Sequence, residues 1–85
     1  MDKMSEELLS RITVVPGICG GKPTIRGKRI TVTMLLENLS GGDSFSDILE
    51  NFPFLERDDL SACLLYAAKL SELSPVSSDV LLHNS

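Results

Sequence analysis

The chain has 85 residues, a net charge of −4, 42 % hydrophobic and 24 % charged residues. That length gives one small domain with marginal burial for a lone monomer, and the composition excludes global disorder. The acidic balance argues against a protein that coats nucleic acid indiscriminately. With no Trp, one Tyr and three Phe, the core must come from Leu, Ile, Val and Ala. A small aliphatic core of this kind favours an obligate homodimer, in which the partner supplies missing burial.

Residues 1–11 form an N-terminal segment in which Met4, Leu8 and Leu9 alternate with acids. The spacing predicts a short amphipathic turn or two, too short for a stable isolated helix, which frays or packs across a dimer partner. Ile12 to Val15 is a β-branched run stopped by Pro16-Gly17, a strand followed by a turn.

Residues 12–32 form a β arm around a glycine-rich basic loop. Pro16 to Val32 holds four of the six glycines, two of the four prolines and four of the eight basic residues. Such glycine density marks backbone with positive φ or a close approach to another chain. Pro23 stiffens the loop and forces Lys22 to be extended. Short β-prone runs flank Gly27-Lys28, so the arm reads as a bent strand or tight hairpin carrying Lys22, Arg26, Lys28 and Arg29.

Residues 32–72 read as a three-helix domain. Thr31 caps a helix over Val32 to Ser40, with Leu35, Leu36 and Leu39 on one face, and Gly41-Gly42 stops it. Ser44 and Asp47 form a capping box for a second helix over Phe45 to Asn51, with Ile48, Leu49 and Phe52 inward, and Pro53 breaks it. The third helix starts near Arg57 with Asp58 and Asp59 in its first turn, and fades between Leu70 and Leu73. The spacing predicts Leu60, Cys63, Leu64 and Ala67 inward, and Asp59, Ala62, Tyr66 and Lys69 outward. Helix, glycine turn, helix, connector, helix is a helix-turn-helix order. Residues 73–85 are a Ser-rich tail with an apolar cluster, expected to be flexible alone and to fold on a partner.

Charge is polarised along the chain. Lys22, Arg26, Lys28 and Arg29 have no acid among them, whereas Glu37, Asp43, Asp47, Glu50, Glu56, Asp58 and Asp59 are offset by Arg57 alone. A basic edge beside an acidic body suits DNA contact through the arm, since the outward face of the third helix offers Asp59, Ala62, Tyr66 and Lys69 to base edges, with Asp58 at its start. The same arm has a competing use, in which Arg26 and Arg29 pair with acids such as Asp58 and Asp59 of the same or a partner chain. A third use is to keep an edge strand from pairing wrongly.

Chemistry beyond binding finds little support. Cys19, Cys63 and His83 lack metal-ligand spacing, and both cysteines read as small hydrophobes. No nucleophile has a base near it, and Gly20-Gly21-Lys22 lacks the full phosphate-loop pattern. The expectation is no enzyme, no cofactor and no metal. No signal peptide or membrane span is apparent, and a soluble cytoplasmic protein is expected.

The run G-G-K-P-T-I-R-G-K-R-I-T-V, then a leucine helix, G-x-S-x-x-x-I-L, F-P-x-L and D-D-L-x-A-C-L-x-Y-A, resembles the small prokaryotic family known as domain of unknown function 433. The likeness runs from about Ile12 to Ala68. It implies a homeodomain-like three-helix (helix-turn-helix) bundle preceded by a β-hairpin or bent strand, often dimeric. It also implies an antitoxin of a type II toxin–antitoxin pair, with a PIN-like ribonuclease as the toxin and operator DNA as a further partner. Lys22, Arg26, Lys28 and Arg29 would then bind DNA. On composition alone, the toxin would be held by Leu73, Val76, Val80, Leu81 and Leu82. The alternative is a stand-alone DNA-binding regulator or a structural dimer without a toxin. The chain departs from the family pattern at Lys28 (usually Thr), Asp43 (Met), Phe54 (an acid) and Glu56 (Thr or Ser, a better cap). Phe54 is expected to be exposed and to mark a contact with another protein.

Overall fold

The computed structural model describes residues 2–73; Val76, Val80, Leu81 and Leu82 therefore lie outside the described residues. The chain is mainly helical, with helices α1 (Lys3–Leu9), α2 (Val32–Ser40), α3 (Phe45–Asn51) and α4 (Arg57–Leu73), and strands β1 (Ile12–Thr13) and β2 (Thr24–Ile25). The two strands pair antiparallel, with Ile12 opposite Ile25 and Thr13 opposite Thr24. Thr31 adds a bridge to Thr24 from the other side. β2 is thus the middle of a rudimentary three-stranded arm.

The arm is a tight hairpin because two consecutive residues take positive φ. Arg26 (φ 46°) and Gly27 (φ 70°) are the central pair of a turn closed by the Lys28 N–H donating to the Ile25 carbonyl at 2.8 Å. This is the pattern of a type I′ turn, whose twist matches that of the flanking strands. Gly27 suits its position, but an arginine in the left-handed region costs about 1–2 kcal/mol. Lys22 is extended before Pro23, as its neighbour requires.

α2 and α3 begin and end where the sequence indicates. The Thr31 hydroxyl accepts from the Met34 N–H, and Ser44 and Asp47 form a reciprocal capping box. At the end of α2 the Gly42 N–H donates to the Leu39 carbonyl and the Asp43 N–H to the Asn38 carbonyl. These two bonds close a Schellman turn, with Gly42 at φ 105°.

Ile25, Ile30, Val32, Leu35, Ile48, Leu55, Leu60 and Cys63 form the buried core, and Ile12, Leu36, Leu39, Phe45, Leu49, Phe52 and Tyr66 pack around it. The core is aliphatic, and it joins the arm to the helices through Ile25 and Ile30.

Two expectations are corrected. The N-terminal segment is a helix capped by Asp2, whose carboxylate accepts from the Ser5 N–H, and it packs on α4 of its own chain. In consequence α4 is covered on two sides, by α1 and β1 as well as by α2 and α3. Asp59 and Ala62, expected outward, are fully buried, whereas Leu64, expected inward, is 46 % exposed. A helix packed from two sides has no single apolar stripe, so periodicity alone misplaces its faces.

Candidate functional site

The arm meets the start of α4 at one buried carboxylate. Asp59 is 0 % exposed. Its Oδ1 accepts from Arg26 Nε at 3.1 Å and Arg11 Nη1 at 3.0 Å. Its Oδ2 accepts from Arg26 Nη2 at 2.9 Å and the Glu56 N–H at 2.7 Å. Four donors fill the acceptor sites of the two oxygens, and the Arg26 pair is bidentate. Among the described residues no buried side-chain nitrogen or oxygen lacks a partner.

Register explains why two arginines reach one acid. With Ile12 opposite Ile25, Arg11 lies across from Arg26, and the Arg26 N–H donates to the Arg11 carbonyl at 2.8 Å. Like charges facing each other across a ladder repel. Asp59 between them turns that repulsion into a clamp. Arg11 also bonds Glu56 Oε1 at 2.6 Å and lies 3.8 Å from Asp58 Oδ2. Arg26 Nη2 donates in addition to the Phe54 carbonyl at 2.9 Å. These bonds stabilise the left-handed backbone of Arg26, which the turn requires and a residue with a Cβ disfavours.

Burial by itself would raise the Asp59 carboxyl. The Arg26 guanidinium, the Glu56 N–H and the Arg11 guanidinium outweigh that effect and hold it below the usual carboxylate range. Hydrogen bonds donated to Glu56 and Asp59 raise the Arg11 guanidinium further above its ordinary value, and those donated to Asp59 do the same for Arg26. Asp59 also supplies one half of a capping box, its carboxylate reaching back to the N–H of Glu56 three residues earlier. The missing Thr or Ser at position 56 is thereby offset. Cys63, one turn further on, is buried, and desolvation followed by the nearby Asp59 charge pushes its thiol up to about 12, which leaves it inert.

The four arm residues named from sequence therefore divide. Arg26 is committed to Asp59 and the Phe54 carbonyl, its side chain 33 % exposed. This fulfils the Arg26 half of the competing assignment, within one chain and with Asp59. Lys22 and Arg29 are exposed and make no ion pair among the described residues. Lys28 is half-buried, its ammonium 5.5 Å from the centre of the Phe54 ring. Phe54 is 46 % exposed, as expected. Lys28 and Phe54, two of the departures from the family pattern, thus meet in space.

Arg11 was missed. Its signal lay in the pairing of Ile12 with a β-prone run ending at Arg26, which places the two arginines side by side. Leu73, the one toxin-contact candidate within the described residues, is 78 % exposed at the end of α4. With Leu9, Ile12, Val14, Tyr66, Lys69 and Leu70 it lines an open apolar groove of about 280 Å³. No group of His, Cys, Asp and Glu among the described residues is placed to hold a metal ion. Nor is any described helix long and apolar enough to cross a membrane.

A β arm clamped by a buried ion network to a helical body defines a small α-rich protein with a short antiparallel sheet. The chain belongs to the family described as "Protein of unknown function (DUF433)", which matches residues 12–67. It is similar to a solved DUF433 member protein from Anabaena variabilis, 35 % identical with a TM-score of 0.70. That likeness covers 80 % of this chain and 67 % of the other. No curated protein matches the chain.

Proposed function

We propose that this protein is a non-enzymatic cytoplasmic antitoxin of a type II pair, which neutralises a PIN-like ribonuclease and, as a homodimer, binds operator DNA for autorepression. The observation that carries the reading is the exposed apolar end of α4. Leu70 and Leu73 are 44 % and 78 % exposed on it, on the element that leads directly into residues 74–85. Exposed apolar surface of this kind belongs to a protein that works in association. A second copy covers the groove beside Leu70, and the toxin takes Leu73 together with Val76, Val80, Leu81 and Leu82.

In this reading α3 and α4 act as a helix-turn-helix pair that carries the arm to the DNA. Exposed Glu56 and Asp58 at the start of α4 disfavour phosphate there. With Arg26 held by Asp59, contact falls to Lys22, Lys28 and Arg29, which a two-fold axis doubles to a strongly salt-dependent set.

Co-expression with the adjacent open reading frame and a pull-down at moderate salt tests the toxin half. The expected result is a stable complex with a silenced nuclease. A partner-free dimer that still binds its own promoter would instead leave the stand-alone regulator. For the DNA half, Lys22→Ala with Arg29→Ala should reduce the slope of log affinity against log salt by about 0.9 for each phosphate that is no longer neutralised. An unchanged slope would remove the arm from the interface.

A further inference from the structure

The tip of the arm and the α3–α4 connector form a second surface, distinct from the groove beside α4. Gly27, Lys28, Arg29 and Phe54 line an open cleft of about 590 Å³. Three features make it more than a solvated corner. The connector is held in place, because Arg26 Nη2 grips the Phe54 carbonyl at 2.9 Å while its other bonds fix the turn to Asp59. The ring is braced by Phe52, with centroids 6.2 Å apart at 77° in an edge-to-face pair. Yet the Phe54 side chain stays 46 % exposed, and what covers part of it is the ammonium of Lys28 at 5.5 Å. A lysine on a flexible stem is a displaceable cover, worth only about 0.5–1 kcal/mol at an exposed ring.

We infer that Phe54, Lys28 and Arg29 form a binding site for an unpaired nucleotide of a single-stranded nucleic acid. The base stacks on the Phe54 ring in place of Lys28. Lys28 swings out and, with the exposed Arg29, takes the flanking phosphates. An exposed aromatic face beside two cations is the combination that single-strand binders use, because every base has a π-face and every linkage a charge. An acidic peptide would use the cations and leave the ring idle. This inference does not rest on the antitoxin reading, since it needs neither a toxin nor a duplex operator.

The chain has no Trp, so Phe54→Trp makes a single reporter at the site. Expected is saturable quenching of that fluorescence by a short thymidine oligonucleotide at low salt. In anisotropy, Phe54→Ala should bind the labelled oligonucleotide roughly 5- to 150-fold more weakly, the equivalent of one missing base stack. A uridine oligonucleotide run in parallel tells whether DNA or RNA is preferred, either preference being a positive result. Quenching that polyglutamate matches at equal charge overturns the inference in favour of an acidic protein partner. Equal affinity of Phe54→Ala and wild type, with no quenching, also overturns it. Should Phe54→Ala fail to fold, the quenching alone decides. A blunt duplex that binds wild type and Phe54→Ala equally separates this site from operator contact by Lys22 and Arg29.

Discussion

The two halves of α4 are built from one continuous helix and have opposite fates. All of its buried residues, Asp59, Leu60, Ala62 and Cys63, lie in the first two turns. Beyond them Leu64, Leu70 and Leu73 stand open. The first half holds the group that is hardest to bury in the described chain, a carboxylate, and supplies it with four donors. The second half keeps Tyr66 packed against the core but leaves Leu70 and Leu73 to water. The contrast shows where this sequence completes itself. Its buried charge is satisfied internally, and its unsatisfied surface is apolar, the kind that association with another chain relieves.

The largest break in that contrast comes from Asp59→Ala. It leaves Arg11 and Arg26 facing each other and the Glu56 N–H without its acceptor. A loss of about 3 kcal/mol is expected, at the low end for a broken buried pair because both arginines reach solvent. Urea unfolding followed by circular dichroism measures it. A loss below about 1 kcal/mol would mean that hydrophobic contacts alone hold the arm to α4.

A smaller effect follows from acid. The Asp59 carboxyl is held below 3.8, its ordinary value, so the unfolded chain takes up the proton first. Its stabilising effect is full above about pH 4 and is lost as pH falls through the lower folded-state value. Stability should therefore fall on acidification below about pH 4, and Asp59→Asn should show a shallower decline. Asp2 and Asp47 are lowered by bonds from Ser5 and Ser44, so the variant keeps part of the slope. Equal slopes in the two proteins would assign the whole acid limb to those caps.

The smallest effect on folding belongs to the open half. Leu70→Ser should move the unfolding free energy of the monomer by no more than about 0.5 kcal/mol, as an exposed substitution does. Sedimentation should nevertheless show the proposed homodimer shifting to monomer. A dimer that survives would place the contact elsewhere and sharpen the question of what covers Leu70 and Leu73.

Local chemistry was legible in the sequence wherever it acts over a few residues. Thr31, Ser44 with Asp47, and Gly41-Gly42 fix where α2 and α3 begin and stop, because capping bonds join residues three to five positions apart. The arm around Gly27, read as a bent strand or tight hairpin, and the extended Lys22 before Pro23 were readable for the same reason, whereas the exposure of Phe54 was read from the family resemblance. Of the partners of Asp59, Arg26 was offered as one of two uses of the arm, whereas Arg11 and the Glu56 N–H were not foreseen. A first-turn acid on a helix reads as a solvated dipole partner, and only the packing of α1 and β1 on a second side of α4 makes that face an interior.

By itself, then, the sequence determined the bounds of α2, α3 and α4, the turn and the aliphatic core, which rest on short-range spacing or on composition, and its motifs carried the resemblance to the family. Tertiary structure alone decided that Arg26 is an anchor, that Arg11 joins it, and that Lys28 and Phe54 share a cleft. The physical reason is distance along the chain. Arg11 and Asp59 are 48 residues apart, and no periodicity spans such a gap. A two-residue strand register brings them together, and that register is set by which side chains the core admits.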